Sequence, residues 1–237
     1  MPQPAFGAPS APRGWSVEKV AITAGDGTSL SGVLAKPPIE NPALGIYFGG
    51  NAEEATSQAV EANRYGERAV LLMNYRGYGD SGGKPGEQAL VSDAIELYDW
   101  AAHRTDLDGA RIAVHGRSLG SGVAVQLAAA RPVKAMLLTS PFDSLFAVAG
   151  AHYPWLPTSL LLRHRFDSLA LAPTLRMPAL FLVAQRDTII GPTHSHRLAE
   201  AWGGPTERVS FEGRGHNDLD LDARYGPVVI EFLKRNL

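Results

Sequence analysis

Cysteine is absent from this 237-residue chain. That excludes disulfides, a thiolate nucleophile, zinc–thiolate centres and lipid attachment through cysteine, and it leaves the redox compartment open. Also missing is any apolar window approaching the roughly 20 residues that span a bilayer, so no transmembrane segment is expected. Neither sign of charge dominates: 22 Lys and Arg face 24 Asp and Glu, and the bases are scattered rather than gathered into a stripe. A nucleic-acid partner therefore has no electrostatic footprint here. The opening MPQPAFGAPSAPRG lacks the basic start and apolar run of a secretory signal, so residues 1–14 are expected to be a disordered lead-in and the protein to be cytoplasmic. With 45% hydrophobic residues, the remaining 15–237 can bury the core of one domain.

The apolar runs are short and separated by regular intervals. Val17–Thr23, Ser29–Ala35 and Ala43–Phe48, divided by Gly25-Asp26-Gly27 and Pro37-Pro38, are expected to form an antiparallel opening to a sheet. Further runs at Ala69–Tyr75, Arg111–His115, Val133–Thr139, Ala179–Ala184 and Arg208–Phe211 alternate with helix-length segments. Strands alternating with helices predict βαβ units, hence an α/β fold with a mostly parallel central sheet and helices on both faces. Helices are expected over Ala55–Glu67, over Glu87–Arg104 with Ala89, Leu90, Ala94, Leu97, Tyr98 and Ala101 on one stripe, over Leu119–Ala130, and over Leu219–Leu237. Roughly forty residues separate the strands ending near Thr139 and starting near Ala179, longer than an ordinary connection. This segment, at about 143–172, is expected to be a lid insertion.

The string Ile112-Ala113-Val114-His115-Gly116-Arg117-Ser118-Leu119-Gly120-Ser121-Gly122 reads as a strand, a Gly-x-Ser-x-Gly turn and an apolar helix. A serine there sits in a strained turn whose flanking glycines avoid collision with neighbouring elements. Its Oγ is then raised above the sheet edge, and the N–H of Leu119 points to where an oxyanion would form. Such a serine needs a base, and the base needs an orienting acid. His216, in the glycine-rich loop Gly213-Arg214-Gly215-His216 after the last strand, is the candidate base. Asp187, following the strand Ala179–Ala184, is the candidate acid, with Asp143 in Ser140-Pro141-Phe142-Asp143 as the alternative. His115 reads as a satisfied core histidine and Arg117 as a partner in a structural ion pair. A second backbone oxyanion donor is expected from Asn51 in Phe48-Gly49-Gly50-Asn51-Ala52-Glu53. His194-Ser195-His196 is read as a helix start rather than a metal site, since residues two apart on a helix face different ways.

Taken together, Phe48-Gly49-Gly50-Asn51-Ala52-Glu53, Asn74-Tyr75-Arg76-Gly77-Tyr78-Gly79-Asp80-Ser81, Gly116-Arg117-Ser118-Leu119-Gly120, the Asp187 loop and Gly215-His216-Asn217-Asp218 resemble the α/β-hydrolase-domain serine hydrolases, including bacterial relatives of the depalmitoylase-like branch. The resemblance implies the α/β-hydrolase fold with a short lid insertion, the Ser118, Asp187 and His216 triad, and hydrolysis of a small-molecule carboxylic ester or thioester with neither metal nor cofactor. It also implies that the loop Asn74–Ser81 positions the oxyanion strand through backbone hydrogen bonds, with Arg76 as a brace. The chain departs from the pattern at Gly49, where the family usually has histidine, which puts the rigidity of the oxyanion loop in question. The cysteine-rich start of the depalmitoylating members is absent, so protein depalmitoylation is not implied.

Phe142 and, in the lid, Tyr153, Trp155, Leu156, Leu160 and Leu161 are expected to line or cover an apolar acyl pocket. Two alternatives accompany the esterase reading. A peptidase or aminoacyl-ester hydrolase of the prolyl-peptidase-like type would share the core, but no propeller domain is present to restrict access. A non-catalytic ligand-binding protein would be marked by a lost triad residue, and none is lost.

Overall fold

The computed structural model describes residues 10–153, 155 and 164–237. Five apolar runs make the centre of its sheet. Strands β3 (Leu44–Phe48), β4 (Ala69–Met73), β6 (Ala135–Thr139) and β7 (Ala179–Ala184) are buried at every position, and β5 (Ile112–Arg117) at all but its last. Such unbroken burial is what parallel strands covered on both faces require. With β1 (Ser16–Thr23), β2 (Ser29–Lys36) and β8 (Thr206–Phe211), they form one sheet in the order β1-β2-β4-β3-β5-β6-β7-β8.

Strands β3 to β8 pair in parallel, while β1 and β2 pair antiparallel with one another and β2 antiparallel with β4. The expected three-stranded antiparallel opening is therefore corrected at its third member. Leu44–Phe48 has no polar alternation for a solvated face, and it lies inside the sheet between β4 and β5.

Side chains leave the sheet alternately. Leu44, Ile46, Phe48, Ile112 and Val114 meet helices α1 (Glu87–Ala102) and α2 (Leu119–Ala130) on one face. Tyr47, Ala113 and Leu137 meet the other face's 3₁₀ helix Ala55–Tyr65 and C-terminal helix. The period of two in the strands sorts the core into these two layers. Each fully buried Leu, Ile or Val contributes about 1.5–3 kcal/mol.

Two helices differ from the sequence expectation. The segment after Asn51 winds as a 3₁₀ helix, and its buried Ala59, Ala62 and Tyr65 recur every third residue, the period of that helix. The last segment is not one helix. A 3₁₀ turn (Leu219–Leu221) ends where Asp222 Oδ1 accepts the Arg224 N–H at 3.0 Å, and the helix proper starts afresh at Tyr225 and runs to Asn236. Among the described residues, the α-helices between α2 and this last one are α3 (Leu145–His152), the single turn α4 (Ser168–Leu171) and α5 (Pro192–Ala201), and Tyr225–Asn236 is labelled α6.

Arg76 braces the loop after β4. Its Nε and Nη2 donate to both oxygens of Asp93 on α1 at 2.7 and 2.5 Å, and its Nη1 donates to Asp26 in the β1–β2 hairpin at 2.8 Å.

His115 is buried under the sheet with both ring nitrogens engaged: Nδ1 meets Tyr65 Oη at 2.5 Å and Nε2 meets Thr139 Oγ1 at 2.9 Å. Burial, reinforced by the nearby Arg117 cation, pushes this imidazole down to about 3. In the unfolded chain it titrates near 6.5. The unfolded state thus gains a proton that the folded state refuses as pH falls between these values. The contribution to stability is full above pH 6.5 and is lost below it, by at most about 1.4 kcal/mol per pH unit. His115→Gln is expected to flatten the acid limb of stability between about pH 6 and pH 4, read from urea unfolding at several pH values; an unchanged slope refutes the assignment.

Candidate active site

Ser118 stands at the junction of β5 and α2 with φ 52° and ψ −119°. A non-glycine residue in this region is strained, and it holds only where its surroundings over-determine it. Here the Ser118 N–H donates to Thr139 O at 2.9 Å, while the N–H and Oγ of Ser121 donate to Ser118 O at 2.9 and 2.7 Å. The flanking glycines are sterically required. A Cβ on Gly116 would lie 2.4 Å from Gly120 O, and one on Gly120 would lie 2.0 Å from Phe48 O.

His216 Nε2 lies 2.9 Å from Ser118 Oγ, and its Nδ1 lies 2.7 Å from Asp187 Oδ2. Asp187 also accepts the N–H groups of Ile189 and Ile190 on Oδ1, at 2.9 and 2.7 Å. Burial pushes this carboxyl up, but the hydrogen bonds from His216, Ile190 and Ile189 outweigh it and hold the group below the usual carboxylate range. An ionised Asp187 can only accept, so Nδ1 carries the ring proton and Nε2 is left as acceptor for the serine hydroxyl.

Asp143 is engaged elsewhere. Its carboxylate takes His194 Nδ1 at 2.8 Å and Arg197 Nη1 at 2.6 Å, both from α5, and it is 1% exposed. It pins the start of the segment after β6 to that helix. Among the described residues no group of three His, Asp or Glu side chains is placed to hold a metal ion.

Leu119 contributes the first N–H of α2, which has no intrahelical acceptor. The Gly50 backbone runs beside the serine: a Cβ there would be 3.6 Å from Ser118 Cβ. The next residue, Asn51, lines the same cavity as Ser118 and Leu119. The loop Gly49–Ala52 is held by side chains rather than by the backbone bonds that the resemblance implied. Tyr75 Oη donates to Gly49 O at 3.0 Å, Tyr78 Oη donates to Asn51 Oδ1 at 2.8 Å, and the Gly50 N–H donates to Glu53 Oε2 at 2.6 Å. Tyr75, Tyr78 and Glu53 all lie in motifs visible in the sequence, yet the spacing of those motifs gives no sign of which groups they meet.

A cavity of about 410 Å³ opens beside Ser118, lined chiefly by Leu90, Phe142, Leu145, Val148, Phe166, Ile189 and Ile190. Phe142 is fully buried in its wall. Tyr153 and Trp155 do not line it. Past the end of α3 they stand 51% and 73% exposed, packed edge to face on one another at 5.8 Å. Leu145 and Val148 of α3, with Phe166, supply this part of the wall instead. Leu156, Leu160 and Leu161 lie outside the described residues.

No protein-family profile matches the chain. An uncharacterized protein of Mycobacterium tuberculosis is 42% identical over 169 residues, covering 71% of this chain and 59% of the relative. The α/β hydrolase domain-containing protein WAV2 of Arabidopsis thaliana is 32% identical, covering 70% of this chain and 60% of its own. The chain thus spans about three fifths of the length of these curated relatives. Protein bem46 of Schizosaccharomyces pombe is 26% identical, over 92% of this chain and 77% of that one. Among solved structures, an acetyl xylan esterase from Paenibacillus sp. R4 superposes with a TM-score of 0.79 at 20% identity, covering 95% of this chain and 85% of that one. The Pyrococcus furiosus esterase Pf2001 gives 0.76 at 21%, covering 94% and 91%. These two likenesses show the fold.

The steric limit at the turn is directly measurable. Gly120→Ala is expected to lower stability by about 3 kcal/mol, because the methyl group meets backbone that cannot move aside. Gly213→Ala, where no atom lies within 4 Å of the added carbon, is expected to stay within about 0.5 kcal/mol of the parent. Urea midpoints of the two variants check the contrast, and equal midpoints contradict it.

Proposed function

The chain belongs to the α/β-hydrolase-domain proteins, and from that membership we propose a serine hydrolase that cleaves carboxylic ester or thioester bonds through an acyl-enzyme on Ser118. The observation that carries this reading is the hydrogen-bonded chain from Ser118 Oγ through His216 to Asp187, at 2.9 and 2.7 Å. In the acylation step Oγ attacks the substrate carbonyl carbon as His216 Nε2 takes its proton. The tetrahedral intermediate collapses when that proton passes to the leaving oxygen or sulfur. Water, deprotonated by the same nitrogen, then releases the acid. Asp187 keeps Nδ1–H oriented and stabilises the imidazolium that forms. The N–H groups of Leu119 and Asn51 are the proposed oxyanion donors, each worth on the order of 3 kcal/mol.

The apolar wall of Leu90, Phe142, Leu145, Val148 and Phe166 suits an acyl group rather than a charged or sugar moiety. Within the expected lid at about 143–172, of which residues 154 and 156–163 lie outside the described ones, we assign α3 as a cover of this pocket, since its Leu145 and Val148 line it. The reaction as written draws only on protein groups and water.

Fluorophosphonate labelling and hydrolysis of p-nitrophenyl esters of graded chain length test the proposal. The protein is expected to label at Ser118, and Ser118→Ala to lose both labelling and turnover while keeping its fold. A folded protein that does not label refutes the enzyme reading. Asp187→Asn is expected to lower kcat by about 10,000-fold. Asp143→Asn is expected to act mainly on stability, since its partners are His194 and Arg197; a larger kcat loss for Asp143→Asn than for Asp187→Asn reverses the assignment of the acid.

A further inference from the structure

The loop that offers Asn51 begins with consecutive glycines, the most freely rotating backbone available. A loop of that composition holds an N–H donor in one direction only if something outside it fixes the peptides. The Glu53 carboxylate is so placed. Oε2 accepts the Gly50 N–H at 2.6 Å, and Oε1 accepts Tyr47 Oη, from inside the sheet, at 2.7 Å. Burial and the neighbouring carboxylate push the Tyr47 phenol well above its ordinary value, so it remains a donor. The same Oε2 faces Arg117 Nη1 at 3.3 Å, and the other arm of that guanidinium, Nη2, donates to the backbone carbonyl of His216 at 3.4 Å. Both side chains are mostly enclosed, at 12% and 19% exposure. The space above the glycines is occupied by this carboxylate: a Cβ on Gly49 would sit 3.2 Å from Glu53 Cδ.

We propose that Glu53 and Arg117 are positioning residues that lock the oxyanion loop and the histidine loop into one frame around Ser118. Neither touches the reacting atoms. Glu53 fixes the peptide that precedes the Asn51 N–H, and Arg117 carries that constraint across to the carbonyl of His216. The chain Gly50 N–H, Glu53, Arg117, His216 O spans two loops that are separated by most of the sequence. An arginine suits the bridge because its fork reaches two acceptors at once, which a lysine ammonium on a flexible stem does not reproduce. This proposal rests on the serine-hydrolase reading and concerns the alignment of that site.

The test compares the parent with Glu53→Gln, Arg117→Lys and the double variant, using fluorophosphonate labelling of Ser118 and steady-state hydrolysis of a p-nitrophenyl ester. Rates are taken per labelled site, so that misfolded protein is not counted. Each single variant is expected to lower kcat about 10- to 100-fold, with KM within about threefold. The double variant is expected to be no slower than the worse single one, because both act through one connection. Singles whose kcat stays within about threefold of the parent, or losses that multiply in the double variant, overturn the proposal. So does a fall in melting temperature with kcat per labelled site unchanged, which is the mark of a purely structural ion pair. A parent that fails to label at Ser118 would instead refute the underlying reading, which keeps the two failures apart.

Discussion

Helix α2 lies so close to the end of β3 that a side chain on Gly120 would occupy the place of the Phe48 carbonyl. That contact of backbone with backbone sets the height of the helix over the sheet, and much else follows from it. The turn before the helix has to be tight, and Ser118 takes positive φ in it. The first turn of the helix lies against the loop that leaves β3, where a Cβ on Gly120 would also lie 2.7 Å from Gly49 O. In the register of β3 with β5, Phe48 stands opposite Gly116, so the two loops emerge at the same level of the sheet. A slip of one residue would displace one against the other by about 3.3 Å and turn its side chains to the opposite face.

Around this packed junction the charges are arranged in closed sets. Asp187 is satisfied by His216 and two backbone N–H groups, Asp143 by His194 and Arg197, and Arg76 by Asp93 and Asp26. The first set ties two loops together, the second ties a loop to α5, and the third ties a loop to α1 and to the β1–β2 hairpin. Buried charges hold such places only when their hydrogen-bonding positions are filled, since an unpaired one costs several kcal/mol. Polar anchoring thus does for the loops what apolar packing does for the strands.

The sheet was largely legible in the sequence, because a buried parallel strand such as Ala179–Ala184 advertises itself by an unbroken apolar run between turn residues. Ser118 was legible for a related reason: its motif combines a strand ending, a pair of steric exclusions and a helix start within eleven residues. His216 and Asp187 could be chosen by chain order, and the structure brings them within hydrogen-bonding distance of one another and of the serine. What spacing could not convey were contacts between distant segments. Nothing local tells that Tyr75 and Tyr78 reach the loop after β3, that Arg117 reaches the His216 carbonyl, or that Asp143 is taken by α5. The position of β3 is not legible in its residues, because an apolar strand after a hairpin reads alike whether it joins the hairpin's edge or crosses to the interior. Tyr153 and Trp155 stand out by composition alone, and apolar composition says nothing about the direction in which a ring points.

The edge position of β8 sets an order of events in unfolding. Ser118 leaves a central strand with neighbours on both sides, whereas the His216 loop follows a strand that pairs with β7 alone and is largely uncovered. Edge elements open locally at lower free energy than the centre of a sheet. A short excursion of β8 therefore carries the imidazole away from the serine while the remainder of the molecule stays native. His216 thus depends on an edge strand for its place beside Ser118, and that pairing is lost at a lower free energy than the packing of the core.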